Sequence, residues 1–269
     1  MTRNKPLILL TNDDGYHSEG ISALYAELNN LWDTYIIAPD REKSASSLAL
    51  TLHHPLRVKQ VSRNIYAVSG TPADCVYLAV QRFLPRLPDL LISGINHGPN
   101  LGQQDTSYSG TVAGAKQGAF LDIPSIAVSL TSDKEGHFSF ENAAKTIRPL
   151  ARIILENTLP RGMFLNINIP APPIRGIKIT PLGQKRYNPQ IFEKKDPRGR
   201  LYYWIGTGNP KAMGGDSSDV KVIQEGYMTV TPLQNDATDL TSVRSTELHR
   251  ILESLKKDIL SPGAEEKTS

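Results

Sequence analysis

Asp13 and Asp14 stand side by side in the turn Asn12-Asp13-Asp14-Gly15. Neighbouring carboxylates repel and raise each other's pKa unless a positive charge lies between them, and a hard divalent cation with oxygen ligands supplies that charge most simply. The same residue types also make an ordinary solvated turn. Successive side chains of a strand point to opposite faces, so both acids can serve one site only from the turn beyond a strand end. The run from Pro6 to Thr11 is that strand: almost unbroken apolar residues without alternation, as expected of a strand buried on both faces in a parallel sheet. Open α/β sheets bind ligands at this end of their strands.

Other residues of chemical interest lie in later loops. Thr34 to Ala38 reads as a second buried strand. It runs into Pro39-Asp40-Arg41-Glu42-Lys43-Ser44-Ala45-Ser46-Ser47, from which Ser44, Ser46 and Ser47 can reach the sheet edge that carries the acids. Leu90 to Ser93 reads as a third. After it, Gly94 to Gly102 holds three glycines, two asparagines and a proline in nine residues, a composition that predicts a close-fitting loop and no helix or ladder. Asn96 lies in that loop with an amide oxygen suited to a hard cation, and His97 beside it can donate to phosphate or simply be exposed. The stretch Ser107-Tyr108-Ser109-Gly110-Thr111-Val112-Ala113 opens a helix through Ala119. Hydroxyls and free N–H groups at its positive end suit a phosphate, with Thr111 as its cap, although capping alone also explains these residues. No GxxxxGK[ST] or GxGxxG motif occurs, which removes the triphosphate and dinucleotide sites of those kinds.

The elements that position these residues follow from periodicity. Ile21, Leu24, Tyr25, Leu28 and Leu31 recur at helical spacing between the first two strands, which makes a parallel unit with a right-handed crossover. Leu56 to Val61 and Asn64 to Val68 form a hairpin that interrupts the winding. Thr71-Pro72-Ala73-Asp74 starts a helix running to about Phe83, with Cys75 as a small core residue. Ile123 to Leu130 is a buried strand, Phe140 to Leu155 a helix that Pro149 should kink or split, and Phe164 to Ile169, alternating with Asn166 and Asn168, a strand nearer an edge. From Ile177 the texture changes. Ile177 to Thr180, Leu201 to Ile205 and Tyr227 to Pro232 read as an antiparallel excursion whose aromatics Tyr187, Tyr202, Tyr203 and Trp204 either make a subunit contact or pack back on their own domain. His249 to Ile259 reads as a final helix.

The fold expected is α/β, a three-layer Rossmann-like parallel-sheet core with a C-terminal antiparallel β arm. Its boundaries are a metal- and phosphate-binding core over residues 1–176, the arm over 177–235, a C-terminal helix over 236–260 and a disordered tail over 261–269. The 269 residues are 39% hydrophobic and suffice for a sizeable core. A net charge of +3 from interspersed residues gives no reason to expect nucleic acid or membrane as partners. One cysteine and no long apolar N-terminal run lead to the expectation of a soluble cytoplasmic protein without an internal disulfide.

Taken in order, Asn12-Asp13-Asp14-Gly15, Ala38-Pro39-Asp40-Arg41 with Ser44, Gly70 to Val76, Ser93 to Asn100 and Tyr108 to Ala113 resemble the SurE survival-protein family, and Asp196-Pro197-Arg198-Gly199 with Glu225-Gly226-Tyr227 resemble its later segment. The resemblance implies a divalent-metal-dependent phosphatase acting on nucleoside 5'-monophosphates, with an arm used in homodimers or homotetramers. It implies one Mg2+ or Mn2+ per subunit on Asp13, Asp14, Ser44 and Asn96. Phosphate then falls to Asn96, Ser109, Gly110 and Thr111, and a proton relay to Asp13 or Asp14. Leu48 stands where the family pattern has a small polar residue, so Ser47 receives no role. The chemistry agrees: a cation offsets the charge of a phosphate monoester and polarises an attacking water, and no Cys-His or Ser-His pair offers a covalent route. A receiver-like signalling module also pairs acids after its first strand. It needs an Asp after the third strand and a Lys after the fifth, where this chain has Ser93 and Ser129 or Leu130. A haloacid-dehalogenase-type phosphatase needs Asp-x-Asp, and this chain has Asp-Asp.

Overall fold

The apolar run before the acids forms β1 (Leu7–Thr11), and all five of its residues are buried. A computed structural model describing residues 5–206, 208, 211–213, 215–239 and 243–260 sets this strand inside a nine-stranded sheet. The chain continues through α1 (Glu19–Leu28), β2 (Asp33–Pro39), β3 (Val58–Ser62), β4 (Ile65–Val68) and α2 (Pro72–Leu78), which a π-helical turn extends to Phe83. Next come β5 (Leu90–His97), α3 (Gly102–Tyr108), α4 (Gly110–Phe120), β6 (Ser125–Leu130), α5 (Phe140–Asn157), β7 (Met163–Ile169) and β8 (Gly176–Ile179). β9 (Gln184–Arg186), β10 (Ile191–Lys195), β11 (Leu201–Ile205), β12 (Lys211–Met213), α6 (Asp219–Gln224) and β13 (Tyr227–Gln234) complete this unit, which ends at Asn235. Residues from Asp236 form a second unit carrying α7 (Thr246–Leu260), the helix expected there. The tail expected over 261–269 lies outside the described residues. Among the described residues no helix is long and apolar enough to cross a membrane.

The sheet order is β3-β4-β2-β1-β5-β6-β7-β13-β8. From β4 to β7 all neighbours run parallel, while β3 and β13 are antiparallel to β4 and β7. Strand alternation divides the core into two layers of packing, giving the three-layer α/β architecture. Ile8, Leu10, Leu90, Ile92, Ile126 and Val128 meet α1 and α5 on one face. Leu9 and Leu91 meet α2 on the other, where Ala127 and Phe164 meet α4.

Several expectations change. The hairpin does not interrupt the winding, because its second strand, β4, joins the sheet parallel to β2. The segment after Ser93 is not free loop: β5 runs to His97, with Asn96 opposite Ser129 and His97 opposite Leu130. Between Ser93 and Asn96 the register shifts, so β5 carries one residue more than β6, a β-bulge. Gly94 (φ +136°) makes the bulge possible, since a Cβ there would stand 2.2 Å from the Val128 carbonyl oxygen. β7 is an interior strand between β6 and β13, and Asn166 and Asn168 are fully buried, not edge residues. The expected arm strands at Ile177–Thr180 and Tyr227–Pro232 belong to the main sheet, as β8 and β13. β9 pairs with β12 and β10 with β11 in two small antiparallel sheets outside it. Pro149 does not split α5, which is continuous over 18 residues. Lys145, whose carbonyl loses its helical partner, is exposed and can be hydrated.

Candidate functional site

β1 lies between β2 and β5, so successive crossovers leave it in opposite directions and open a crevice at the carboxyl ends of β1 and β5. The Asn12 to Gly15 turn fills that crevice. Buried Asn12 shapes it by donating from Nδ2 to the Gly15 carbonyl (2.9 Å) and to Ser18 Oγ (2.8 Å). The Lys43 N–H donates to the Asp13 carbonyl (2.7 Å), tying the Ser44 loop to the same turn. Asp13, Asp14, Ser44, Asn96, His97 and Ser109 line one cleft of about 800 Å3, together with residues of α3 and of the segment after β9. A second concavity of about 640 Å3, between α1 and α5, includes none of the predicted site residues.

Asp13 is 5% exposed, and Thr111, wholly buried on α4, donates its hydroxyl to Asp13 Oδ1. Asn96 Oδ1 stands 3.2 Å from the same hydroxyl. Thr111 has a single hydroxyl hydrogen, so Asn96 Oδ1 keeps its lone pairs available while Asp13 takes the bond. Asn96 Nδ2 donates to the Gly98 carbonyl (2.7 Å), which turns the amide oxygen toward Asp13. Burial, opposed by the Thr111 hydrogen bond and helped by repulsion from Asp14, pushes Asp13 up to about 6. Burial raises Asp14 as well, opposed by the His97 N–H, which donates to Asp14 Oδ2 (3.3 Å). None of the ion pairs among the described residues reaches either acid. Two carboxylates with no salt-bridge partner among the described residues, beside an amide oxygen and hydroxyls, are the donor set of a hard divalent cation, so the residues fit one.

The phosphate segment differs from expectation in one respect. Ser107 and Tyr108 end α3, and the cap of α4 is Ser109, whose Oγ accepts from the Val112 N–H (3.1 Å); Thr111 is not the cap. Gly110 lets α4 close onto the acids: a Cβ there would stand 2.7 Å from Asp13 Cβ and 2.8 Å from Ser46 Oγ. Ser46 Oγ is thus brought beside the site, buried and without a hydrogen-bond partner. Ser47 points elsewhere, donating to the Ser107 carbonyl (2.9 Å), and Ser44 Oγ donates to Glu42 (2.5 Å). The His97 ring packs edge-on against Phe138, with centroids 3.9 Å apart.

Two supports escaped the sequence reading. Asn166 and Asn168 both donate to the Asn100 carbonyl (2.9 and 3.1 Å), Asn168 Oδ1 accepts the Asn100 N–H (2.8 Å), and Asn100 Nδ2 reaches Ser129 Oγ (2.8 Å). The Asn-x-Asn alternation was the available signal, since two amides on one strand face can satisfy a buried loop as readily as meet water. The second is Asp219, fully buried, which accepts from the N–H groups of Gly102 (2.8 Å) and Gly183 (2.7 Å) and so joins α3 to the root of β9. Apart from the cleft, Asp133, Glu135 and His137 form an exposed turn whose ligand atoms lie within 4.8 Å of one another, a further group able to hold a cation.

The family model described as "Survival protein SurE" matches residues 8–189, a span that includes Asp13, Asp14, Ser44, Asn96, Ser109, Gly110 and Thr111. The chain belongs to the SurE family. Among its SurE relatives, the protein of Syntrophotalea carbinolica named 5'-nucleotidase SurE is 45% identical over 241 residues, covering 90% of this chain and 95% of that one. The Vibrio cholerae protein of the same name is 45% identical over 247 residues, covering 90% and 92%. A crystal structure of the SurE protein from Aquifex aeolicus superposes with a TM-score of 0.75 at 39% identity, covering 93% of this chain and 98% of that chain.

Proposed function

We propose that the protein is a divalent-metal-dependent 5'-nucleotidase that hydrolyses nucleoside 5'-monophosphates to nucleoside and phosphate. The observation that carries this reading is the pair of buried Asp13 and half-buried Asp14, without a salt-bridge partner among the described residues, at the β1–β5 crevice of a chain 45% identical to proteins named 5'-nucleotidase. Asp13, Asp14, Ser44 and Asn96 would hold one Mg2+ or Mn2+, a set supported by their oxygen donors and shared cleft. When bound, the cation offsets the charge of the phosphate and polarises the attacking water. Thr111 holds Asp13 through Oδ1, while the Gly98 carbonyl fixes the Asn96 amide. The Ser109 hydroxyl hydrogen and the Gly110 N–H, at the positive end of α4, are available to the substrate phosphate, and Thr111 closes that subsite. Asp13 and Asp14 are the groups able to take up a proton.

For assembly we propose a homodimer or homotetramer made through the 177–235 segment, whose β10–β11 pair exposes Phe192, Tyr203 and Trp204. A cytoplasmic location is proposed on the single cysteine, Cys75, which is buried and free. No geometry favours the receiver-like or haloacid-dehalogenase readings, since Ser93 is buried under α4 and the two acids are adjacent instead of alternate. The test is release of phosphate from AMP by purified protein with Mg2+ or Mn2+, loss of release with a chelator, and recovery on adding metal back. No release with either metal overturns the reading.

A further inference from the structure

The loop that follows β2 is fastened to the acid turn at two points. The Tyr16 N–H donates to the Pro39 carbonyl (2.9 Å), and the Lys43 N–H donates to the Asp13 carbonyl (2.7 Å). The second bond falls between Glu42 and Ser44, so the backbone that carries both side chains is held against Asp13. The chain then turns at Ser44 and Ala45, where Ala45 takes the left-handed conformation (φ +56°), uncommon for a residue with a Cβ. Beyond the turn the Ser47 N–H donates to the Tyr108 carbonyl (3.0 Å), which ties the far side of the loop to the end of α3.

Within this frame the Ser44 hydroxyl donates to Glu42 Oε1 (2.5 Å). A hydroxyl has one hydrogen and two lone pairs, and only the lone pairs can meet a cation. Bonding to a carboxylate two residues away on a fixed backbone therefore settles which way Ser44 Oγ faces. Such a charge-assisted O–H···O bond is about twice as strong as a neutral one, so it holds the rotor better than water would. The arrangement has a counterpart across the cleft, where the Gly98 carbonyl takes a hydrogen of the Asn96 amide and leaves its oxygen to the site. Glu42 also lines the cleft with Asp13, Asp14 and Ser44, and shares with Asp14 a smaller concavity of about 300 Å3. Burial is the main cause that raises Asp14, and repulsion from Glu42 adds to it, so the two carboxylates feel each other. None of the ion pairs among the described residues neutralises Glu42.

We infer that Glu42 is a positioning residue for the cation: it accepts the Ser44 hydroxyl hydrogen and so presents a lone pair of Ser44 Oγ to the metal position beside Asp13 and Asp14. The inference rests on the metal set of the 5'-nucleotidase reading and concerns how tightly this chain holds its cation. Partners that orient a metal ligand are typically worth about 10–100-fold in affinity.

The test is titration of the full chain with Mn2+, followed by the paramagnetic resonance of the free ion. It is run in about 1 M KCl, where exposed charges more than about 3 Å apart are largely screened and the hydrogen bond is what remains. Glu42 is exposed, so folding is not at stake in its variants. Glu42→Ala should weaken Mn2+ binding about tenfold. Glu42→Gln, which keeps an acceptor oxygen and removes the charge, should recover most of that loss. In a Ser44→Ala background Glu42→Ala should add nothing further, because the residue acts through Ser44. The inference is overturned if the wild type binds no Mn2+ or if Glu42→Ala binds it as tightly as wild type. It is equally overturned if Glu42→Gln is as weak as Glu42→Ala, or if the loss persists undiminished without Ser44. Mn2+ binding that shows this coupling, in a protein that releases no phosphate from AMP, keeps the positioning role and removes the phosphatase reading. Metal-dependent release from AMP, with affinity unchanged in Glu42→Ala, does the reverse.

Discussion

Every residue of β1 is buried and every residue of β10 and β11 is exposed, yet β1 leads into one side of the cleft and β11 ends on the other. On the first side polar groups are enclosed and several are satisfied by one another, as in the Thr111 to Asp13 bond and the amides around Asn100, while Ser46 Oγ has no partner. On the second Asp105, its side chain 11% exposed, anchors Lys185 and Tyr187. Enclosure lets a carboxylate be held ready for a cation at a cost in stability, because each buried polar group must keep its partner. An exposed wall bears no such cost and can change its side chains freely. Under the function and assembly proposed above, the difference divides labour: reaction chemistry falls to the enclosed side and subunit contact to the exposed one.

The largest effect that tests this division is on activity. Asp13→Asn should reduce AMP turnover about a thousandfold or more, the loss of several kcal/mol of charge stabilisation. Near wild-type turnover at saturating metal would break the contrast outright. The same variant reports on the cost of enclosure in metal-free protein. The Asp13 carboxyl is raised in the fold from 3.8 to about 6. Its contribution to stability is therefore fully present below pH 3.8 and is lost as pH rises toward and past 6. At pH 7.5 metal-free Asp13→Asn should be more stable than wild type by up to about 3 kcal/mol, and the gap should close near pH 4. Thermal melts of both proteins at the two pH values measure it, and a gap that widens on acidification would reverse the sign.

Thr111→Val should lower kcat/KM by about 1.5–3 kcal/mol, with weaker apparent metal binding, because the lost hydroxyl serves a charged group. Metal-free Thr111→Val should also lose about 1–3 kcal/mol of stability, because buried Asp13 is left without its side-chain donor, whereas Ser109→Ala should cost about 1 kcal/mol through the lost cap with metal binding unchanged. Exchange of these two outcomes would restore Thr111 as the capping residue. Asn168→Leu leaves the Asn100 N–H buried without its acceptor and should cost about 1–3 kcal/mol by urea unfolding. An unchanged midpoint would show that the enclosed side does not depend on its amides. Smallest is Trp204→Ser in the exposed pair, expected to change monomer stability by less than about 0.5 kcal/mol. Its readout is sedimentation, and dissociation of the assembly with turnover of AMP retained would sharpen the contrast.

Residue type alone was enough where a side chain's partners are close in sequence. The buried run before Asp13 and the start of α2 at Thr71 and Pro72 are of this kind. Legibility fails where the partner is remote. Nothing near Asn168 announces Asn100, 68 residues away, and the alternation of β7 is equally that of a solvated edge. Thr111 has the same difficulty: beside Ser109 and Gly110 it reads as a cap, and only the packing of α4 against the turn after β1 brings it to Asp13. The strands at Ile177 and Tyr227 were visible, but which sheet they join is set by pairing with β7 and with each other, and loops rich in Gly and Pro hide that.

The bulge in β5 makes chain length, more than residue identity, the quantity this site cannot vary. Ser93 and Asn96 are three positions apart, an odd count that regular alternation would send to opposite faces, yet both meet α4, Ser93 at Gly114 and Asn96 at Thr111. One surplus residue changes the parity. Deleting Ile95 would leave a strand that could pair without interruption, but Asn96 would be carried across to the layer of α1 and α5, away from Asp13. An amide lost by substitution subtracts one oxygen from the site; a residue lost from the strand turns the whole end of β5 over. Length variation between Ser93 and His97 should therefore be far less tolerable than exchange of any one side chain within it.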